Sequence, residues 1–347
     1  MATWTNAQLR NYTYWQAREK LAREQYLRTE AEQTEEINRI YRDIQRWCED
    51  EIARFYGNYA TAEGIDITDA IKRVSKTDIE AYEELAKYYA EQGQEYKRNN
   101  GRIGGVAFSD RANQEMRIYN ATMKINRLEL LKARIGIKLE DSTNTLDAYM
   151  GDKMTERAMA ELERQAGILG RTITEIDTLK KAKQIVNASF YNATYSDRLW
   201  SHMDRLKSEI AIQLQRGLIA GVGSREMATR IMQYGIEPNR ADAERLMVTE
   251  LRRVQTDAAI DSYNEMGFTQ YMYMAVNPNA CPICRSLNNN VYELRGAEVG
   301  NLDHPLPPMH PRCHCTIAPY QSEDEYEDWL TFLENGGTTE EWERRRK

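Results

Sequence analysis

The residues of this chain whose types and spacing can do chemistry are Cys281-Pro282-Ile283-Cys284 and, after a gap of 25 residues, His310-Pro311-Arg312-Cys313-His314-Cys315. Two cysteines separated by two residues form a knuckle that offers both thiolates to one ion, and a second Cys/His cluster can complete a tetrahedron. The stretch from Pro278 to Pro319 holds four of the five cysteines, three of the four histidines and seven of the eight prolines. This spacing predicts a structural zinc site. Cys281 and Cys284 supply two of its corners. Cys313 and Cys315 stand two apart, so in an extended segment they point the same way and either or both can reach the ion. His310 precedes Cys313 by three, with Pro311 stiffening the turn between them. His304 and His314 are weaker candidates, because a histidine in a proline-rich loop is commonly a solvated side chain.

Other uses of the motif fit less well. A redox dithiol would sit near a βαβ pattern and has no need of a second Cys/His cluster. A zinc deaminase needs H-x-E upstream and a proline before its first cysteine; here Ala280 precedes Cys281, and His202 is followed by Met203 and Asp204. The histidine spacing is not that of an HNH nuclease. More than four donors are present, so protein can close the site, as it does around structural rather than catalytic zinc.

Composition narrows the classes further. A net charge of −7 over 347 residues argues against nonspecific nucleic-acid binding, which favours basic chains, although Lys and Arg are plentiful enough for a local basic face. No run approaches the ~20 apolar residues needed to cross a bilayer, and no signal-peptide apolar region stands at the N-terminus, so a cytoplasmic site of synthesis is expected. An odd number of cysteines, four of them in ligand spacing, points to reduced thiols. Cys48 falls on the apolar side of a helix and reads as a small core residue.

The elements that must position the cluster are mainly helical. No proline occurs before Pro238, and helices are expected from Thr5 toward Tyr59, from Thr77, from Asp110 to Glu140, from Leu146 to Leu169 and from Ile176 to Ile185. The first carries a stripe of Ile37, Tyr41, Ile44, Cys48, Ile52 and Phe55, breaks at Gly57 and Gly64, and has an aromatic early part, Tyr12, Tyr14, Trp15 and Tyr26, that either packs within the chain or docks another protein. Asn99 to Gly105 lacks the G-K-[ST] ending of a phosphate loop and reads as an interhelical connection. Next, Ser196 is expected to cap a helix with Leu199, Met203, Leu206, Ile210 and Leu214 that ends at Gly217. Ser224 caps a short helix ending at Gly235, and Pro238 opens one running to Gly267, with Met247, Glu250, Val254 and Ala258 on one face. Glu250 is placed at that stripe's edge, paired with Arg253 or a backbone group. Beyond Gly267 the period changes, and short strands are expected over Phe268 to Val276, Val291 to Leu294 and from Cys315, with Asn288-Asn289-Asn290 as a turn. A sheet this small carries little core, the usual reason for a metal staple. The tail from Ser322 reads as one or two docked helices.

Taken together, Arg245, Thr249 and Glu250 on a helix, the strand after Gly267, Cys281 and Cys284, and His310-Pro311-Arg312-Cys313 followed by Pro319-Tyr320 closely resemble the phage head-morphogenesis or Mu F-like minor head protein family. Tyr195 to Trp200 and Gly217 to Gly221 are also similar to segments of that family. The resemblance covers about Phe190 to Tyr320 and extends loosely to the helical N-terminus. Val248, His314 and Asn288-Asn289 depart from the family pattern without touching the ligand positions. The resemblance implies a virion component at the portal vertex, assembled in the host cytoplasm, present in several copies, contacting the portal protein and capsid or scaffold proteins and acting in head assembly or DNA delivery. It also implies Cys281, Cys284, His310 and Cys313 as the ligands, with Cys315 dispensable.

The expected fold is therefore mainly α: an extended helical partner-docking region over 1–185, a small α+β domain over 186–320 with a zinc module at 277–319, and a helical tail over 321–347. A structural, non-enzymatic role leads. The competing expectations are a nuclease or other effector enzyme, for which only 27 residues follow Tyr320, fewer than the ~40 that fold unaided, and a DNA-contacting module using the zinc domain or Arg344 to Lys347.

Overall fold

A computed structural model describes residues 6–63, 127–169 and 172–320, together with scattered positions between 327 and 342. The helices expected from Thr77 and over 110–126, and the loop at 99–105, lie outside the described residues. Seven α-helices are described: α1 Asn6–Glu63, α2 Arg127–Ile168, α3 Glu175–Val186, α4 Tyr195–Ile219, α5 Ser224–Ile231, α6 Glu237–Glu265 and α7 Pro282–Leu287. Five short strands follow α6: β1 Gln270–Met274, β2 Val291–Glu293, β3 Glu298–Val299, β4 Pro305–Leu306 and β5 Thr316–Tyr320. The chain is mainly helical with a small strand-bearing C-terminal part, as its periodicity predicts. No described helix is long and apolar enough to cross a membrane.

Several expected helix ends move. Helix α1 runs through Gly57, because one glycine costs only ~1 kcal/mol against alanine and its neighbours Phe55 and Tyr56 are buried. Helix α2 is unbroken across 140–146, and buried Leu139, Thr143 and Leu146 keep the phase. At the start of α4 the cap is Thr194 rather than Ser196. Its hydroxyl accepts from the Asp197 N–H, while the Asp197 carboxylate accepts from the Thr194 N–H; Ser196 instead donates to Asp147 at 2.8 Å. The stop of α4 lies past Gly217, at Gly221. There φ is +69°, and the N–H groups of Gly221 and Val222 return to the carbonyls of Leu218 and Gly217. Gly223 in extended backbone, not Ser224, stands at the cap of α5. Nor does α5 stop at Gly235: a π turn, Met232–Ile236, leads directly into α6. Pro238 has no N–H for the helical ladder, and the ladder is already displaced there, Glu237 donating to Met232.

By packing, the chain divides into two compact units, neither continuous in sequence. One comprises residues 38–145 and 200–241. The apolar stripes fill it: Tyr41, Ile44, Cys48 and Ile52 of α1, Leu131, Ile135 and Leu139 of α2, and Met203, Leu206 and Ile210 of α4 are all buried. Its buried tyrosines are anchored by their hydroxyls, Tyr41 donating to Asn239 Oδ1 at 2.5 Å and Tyr56 to the Val222 carbonyl at 2.7 Å.

The other unit comprises residues 1–37, 146–199 and 242–347, and holds all the described strands. Gly267, at φ +74°, closes α6 as the N–H groups of Gly267 and Phe268 return to Asn264 and Tyr263, and turns the chain into β1. Strand β1 is the centre of an antiparallel sheet ordered β2-β1-β5, with Met272 opposite Val291 and Ala318; β3 and β4 form a separate parallel pair. Alternation sorts the sheet's side chains. Tyr271, Tyr273 and Ile317 are buried on one face, with Cys315 just before β5 in the same phase. Met272, Met274 and Ala318 lie on the other, packed against Tyr12 and Trp15 of α1. The aromatic early part of α1 thus packs within the chain at Tyr12, Trp15 and buried Tyr26, whereas Tyr14 is exposed.

Candidate metal centre

The two halves of the motif come together against β1. Cys281 caps α7, with Pro282 at its first turn and the Cys281 sulfur accepting from the Cys284 N–H at 3.4 Å. One helical turn later Cys284 is buried beneath the knuckle. The chain then returns to β1 through Asn288, whose side-chain oxygen accepts from the Ala275 N–H at 2.7 Å, and Asn289, at φ +68°, whose N–H donates to the Tyr273 carbonyl. On the other side, Arg312 at φ +59° and a hydrogen bond from the Cys313 N–H to the His310 carbonyl fold the second cluster into a turn.

The five candidate ligands fall into two overlapping triads. Cys281, Cys284 and His310 form one triad whose donor atoms lie within 4.8 Å of one another, and Cys284, Cys313 and Cys315 form a second. Cys284 belongs to both. Its sulfur is 3.9 Å from that of Cys313 and 3.5 Å from Nε2 of His310. Zinc–sulfur and zinc–nitrogen bonds of ~2.3 and ~2.0 Å at tetrahedral angles put such atoms about 3.8 and 3.5 Å apart. A disulfide would need ~2.05 Å, and all the cysteines are free. Nδ1 of His310 lies 2.9 Å from the Pro311 carbonyl oxygen, which can only accept, so the proton sits on Nδ1 and leaves Nε2 a lone pair. His304 and His314 stand outside both triads. His314 turns instead toward Glu30, at 3.6 Å.

Thiols of Cys284 and Cys315 donate to Cys313 and hold it far below the usual thiol range. The contact with Cys313 pushes Cys284 up to about 12, and the contacts with Cys284 and then Cys313 raise Cys315. Crowding three buried sulfurs disfavours a second thiolate beside the first. Half-buried Cys281 is lowered by the Cys284 N–H. Burial works against the His310 cation, but the Pro311 carbonyl and nearby Cys313 and Cys281 outweigh it and raise its value. A divalent ion would stabilise all the thiolates at once, so the donor set fits a soft-ligand metal.

Two supporting residues were not apparent from spacing. Tyr273, fully buried, donates its hydroxyl to the Cys284 sulfur at 3.5 Å. Burial raises its own value, and the charges of Cys313 and Cys315 add to this. Thr249 of α6 accepts the Arg312 N–H at 3.2 Å while donating to the Arg245 carbonyl at 2.6 Å, and the Arg312 guanidinium lies 3.7 Å from Glu244. Its neighbour Glu250 is not at the edge of its stripe. It is buried between two arginines, at 2.6 Å from both Arg253 Nε and Arg198 Nη1, so the expected Arg253 pair forms and a second joins it.

A search of curated proteins and one of solved structures each returned no match. Residues 208–318, which contain α5, α6, β1 and every candidate ligand, match the family described as Phage Mu protein F like protein.

Proposed function

We propose that the chain is a structural minor head protein of a tailed phage or prophage, acting at the portal vertex in head assembly or in DNA packaging and delivery. The observation that carries this reading is the family match over 208–318, and the two Cys/His triads within it, joined at Cys284, support a zinc staple. Cys281, Cys284 and Cys313 would hold the ion, with His310 or Cys315 at the fourth corner. Bound there, zinc supplies a neutralising cross-link between the knuckle and the turn before β5. Glu250, the buried carboxylate closest to a catalytic pattern, is occupied by two guanidinium groups, which favours scaffolding over enzymatic work.

Portal contact is assigned to the helical region before residue 186, with capsid or scaffold proteins as further partners and several copies around the vertex. Co-expression of the tagged full chain with portal and major capsid proteins tests this. The chain is expected to purify with portal-containing heads and to bind isolated portal oligomers, carrying about one zinc per chain. Heads that assemble with portal but exclude the chain, together with no binding to portal oligomers, would overturn it.

A further inference from the structure

The sheet places its metal-side residues and its α1-side residues on alternate positions of the same two strands. Cys313 and Cys315 lead directly into Thr316, and Tyr273 lies between Met272 and Met274. Cys315 and Tyr273 pack in the thiol cluster, while Met272, Met274 and Ala318 pack against Tyr12 and Trp15 of α1. Two polar contacts run from the same segment to α1. Thr316 donates to Glu19 at 2.9 Å, in a buried contact, and His314 lies 3.6 Å from Glu30. Further along, α1 is held independently of the motif: Tyr26 donates to Glu161 of α2 at 2.9 Å, and Arg157 stacks over the Tyr26 ring at 4.1 Å.

We propose that the metal site is a latch for the first turns of α1, so that occupancy of the Cys/His cluster sets whether residues 12–19 dock on the sheet. This rests on the metal reading above. With the ion bound, the 313–316 turn is fixed and presents Thr316 to Glu19, keeping Met272 and Met274 level beneath Tyr12 and Trp15. With the ion gone, nothing cross-links the knuckle to that turn, which the ligand positions alone then leave free to shift. The docking surface of residues 12–19 then loses its register, while the contacts from Tyr26 onward persist.

Hydrogen exchange on the full chain, with zinc content measured on the same samples, tests the latch. Removing zinc with a chelator is expected to speed amide exchange over 12–22 at least ten-fold and to leave 40–56 unchanged; restoring zinc reverses the change. A Thr316→Val variant is expected to keep its zinc and yet show faster exchange over 12–22, which separates the latch from loss of the metal module. Zinc release with no change over 12–22, or equal acceleration over 12–22 and 40–56, would overturn the latch while leaving the metal site standing. Protein that takes up no zinc would overturn the metal reading and the latch with it.

Discussion

Replacing Glu250 is the sharpest test of how the unit containing the sheet is held together. The Glu250→Ala change removes the carboxylate shared by Arg198 and Arg253. Each hydrogen bond to a charged group contributes roughly 1.5–3 kcal/mol, and breaking a buried ion pair by deleting one partner costs about 3–5 kcal/mol. Arg253 would keep Asp257 at 2.8 Å and the carbonyls of Ile185 and Val186 at 3.0 and 3.2 Å. Arg198 would keep the Phe190 carbonyl. Because both guanidinium groups retain partners, the low end applies, about 3 kcal/mol. For a unit of this size one kcal/mol moves Tm by ~2–4 °C, giving a drop of roughly 6–12 °C. Glu250→Gln, which keeps the shape but not the charge, falls in between. Thermal unfolding followed by circular dichroism reads this directly. A drop below ~2 °C for Glu250→Ala would refute the reasoning, because a carboxylate so enclosed would then be contributing nothing.

Other outcomes follow from the same geometry. Cys284→Ser removes the sulfur common to both triads and is expected to abolish stoichiometric zinc, whereas Cys315→Ser or His310→Ala alone leaves a full set of four donors and most of the metal. Elemental analysis decides, and equal losses in all three variants would refute this ligand assignment. Tyr273→Phe is expected to retain zinc but to weaken it roughly ten-fold in chelator competition, as loss of a supporting hydrogen bond does at other metal sites; an unchanged affinity would remove the phenol from the site. At high pH, Lys181 matters. Burial disfavours its charge, but hydrogen bonds to Glu265 and Asp261 outweigh this and raise its value. A cation whose folded value lies above its unfolded one contributes stability that is complete below the unfolded value of ~10.4 and is lost as pH rises through the folded value. Lys181→Met should therefore be less stable than the wild type at pH 8, with the gap closing toward pH 11. Urea midpoints across that range measure it, and a constant gap would contradict the assignment.

Much of this architecture is legible in the sequence wherever apolar periodicity carries it. Ile37 to Phe55, Leu128 to Leu139 and Leu199 to Leu214 are buried at the positions their spacing predicts, and the five metal candidates fall into two triads that share Cys284. Periodicity fails where the inward face is charged. Glu19, Glu30 and Gln33 are buried on α1 in phase with Tyr26 and Ile37, but the arginines that balance Glu19 and Glu30, namely Arg164, Arg157 and Arg252, lie more than a hundred residues away. Glu250 was misplaced for the same reason: Arg198, its second partner, belongs to another helix. Tyr273 looks like any aromatic strand residue until the fold sets Cys284 beside its hydroxyl. Helix ends at Gly57 and Gly235 were overestimated because the cost of one glycine is smaller than the burial around it.

A single uninterrupted helix, α1, therefore carries two kinds of adhesive along one face. After the apolar docking of Tyr12 and Trp15, the stretch from Glu19 to Glu30 is held by carboxylates, hydroxyls and guanidinium groups, and the later turns by aliphatic and aromatic side chains. These respond differently to temperature. Chilling weakens apolar contacts and spares charged ones, so cold should loosen the later turns of this helix before the charged stretch around Glu19 to Glu30.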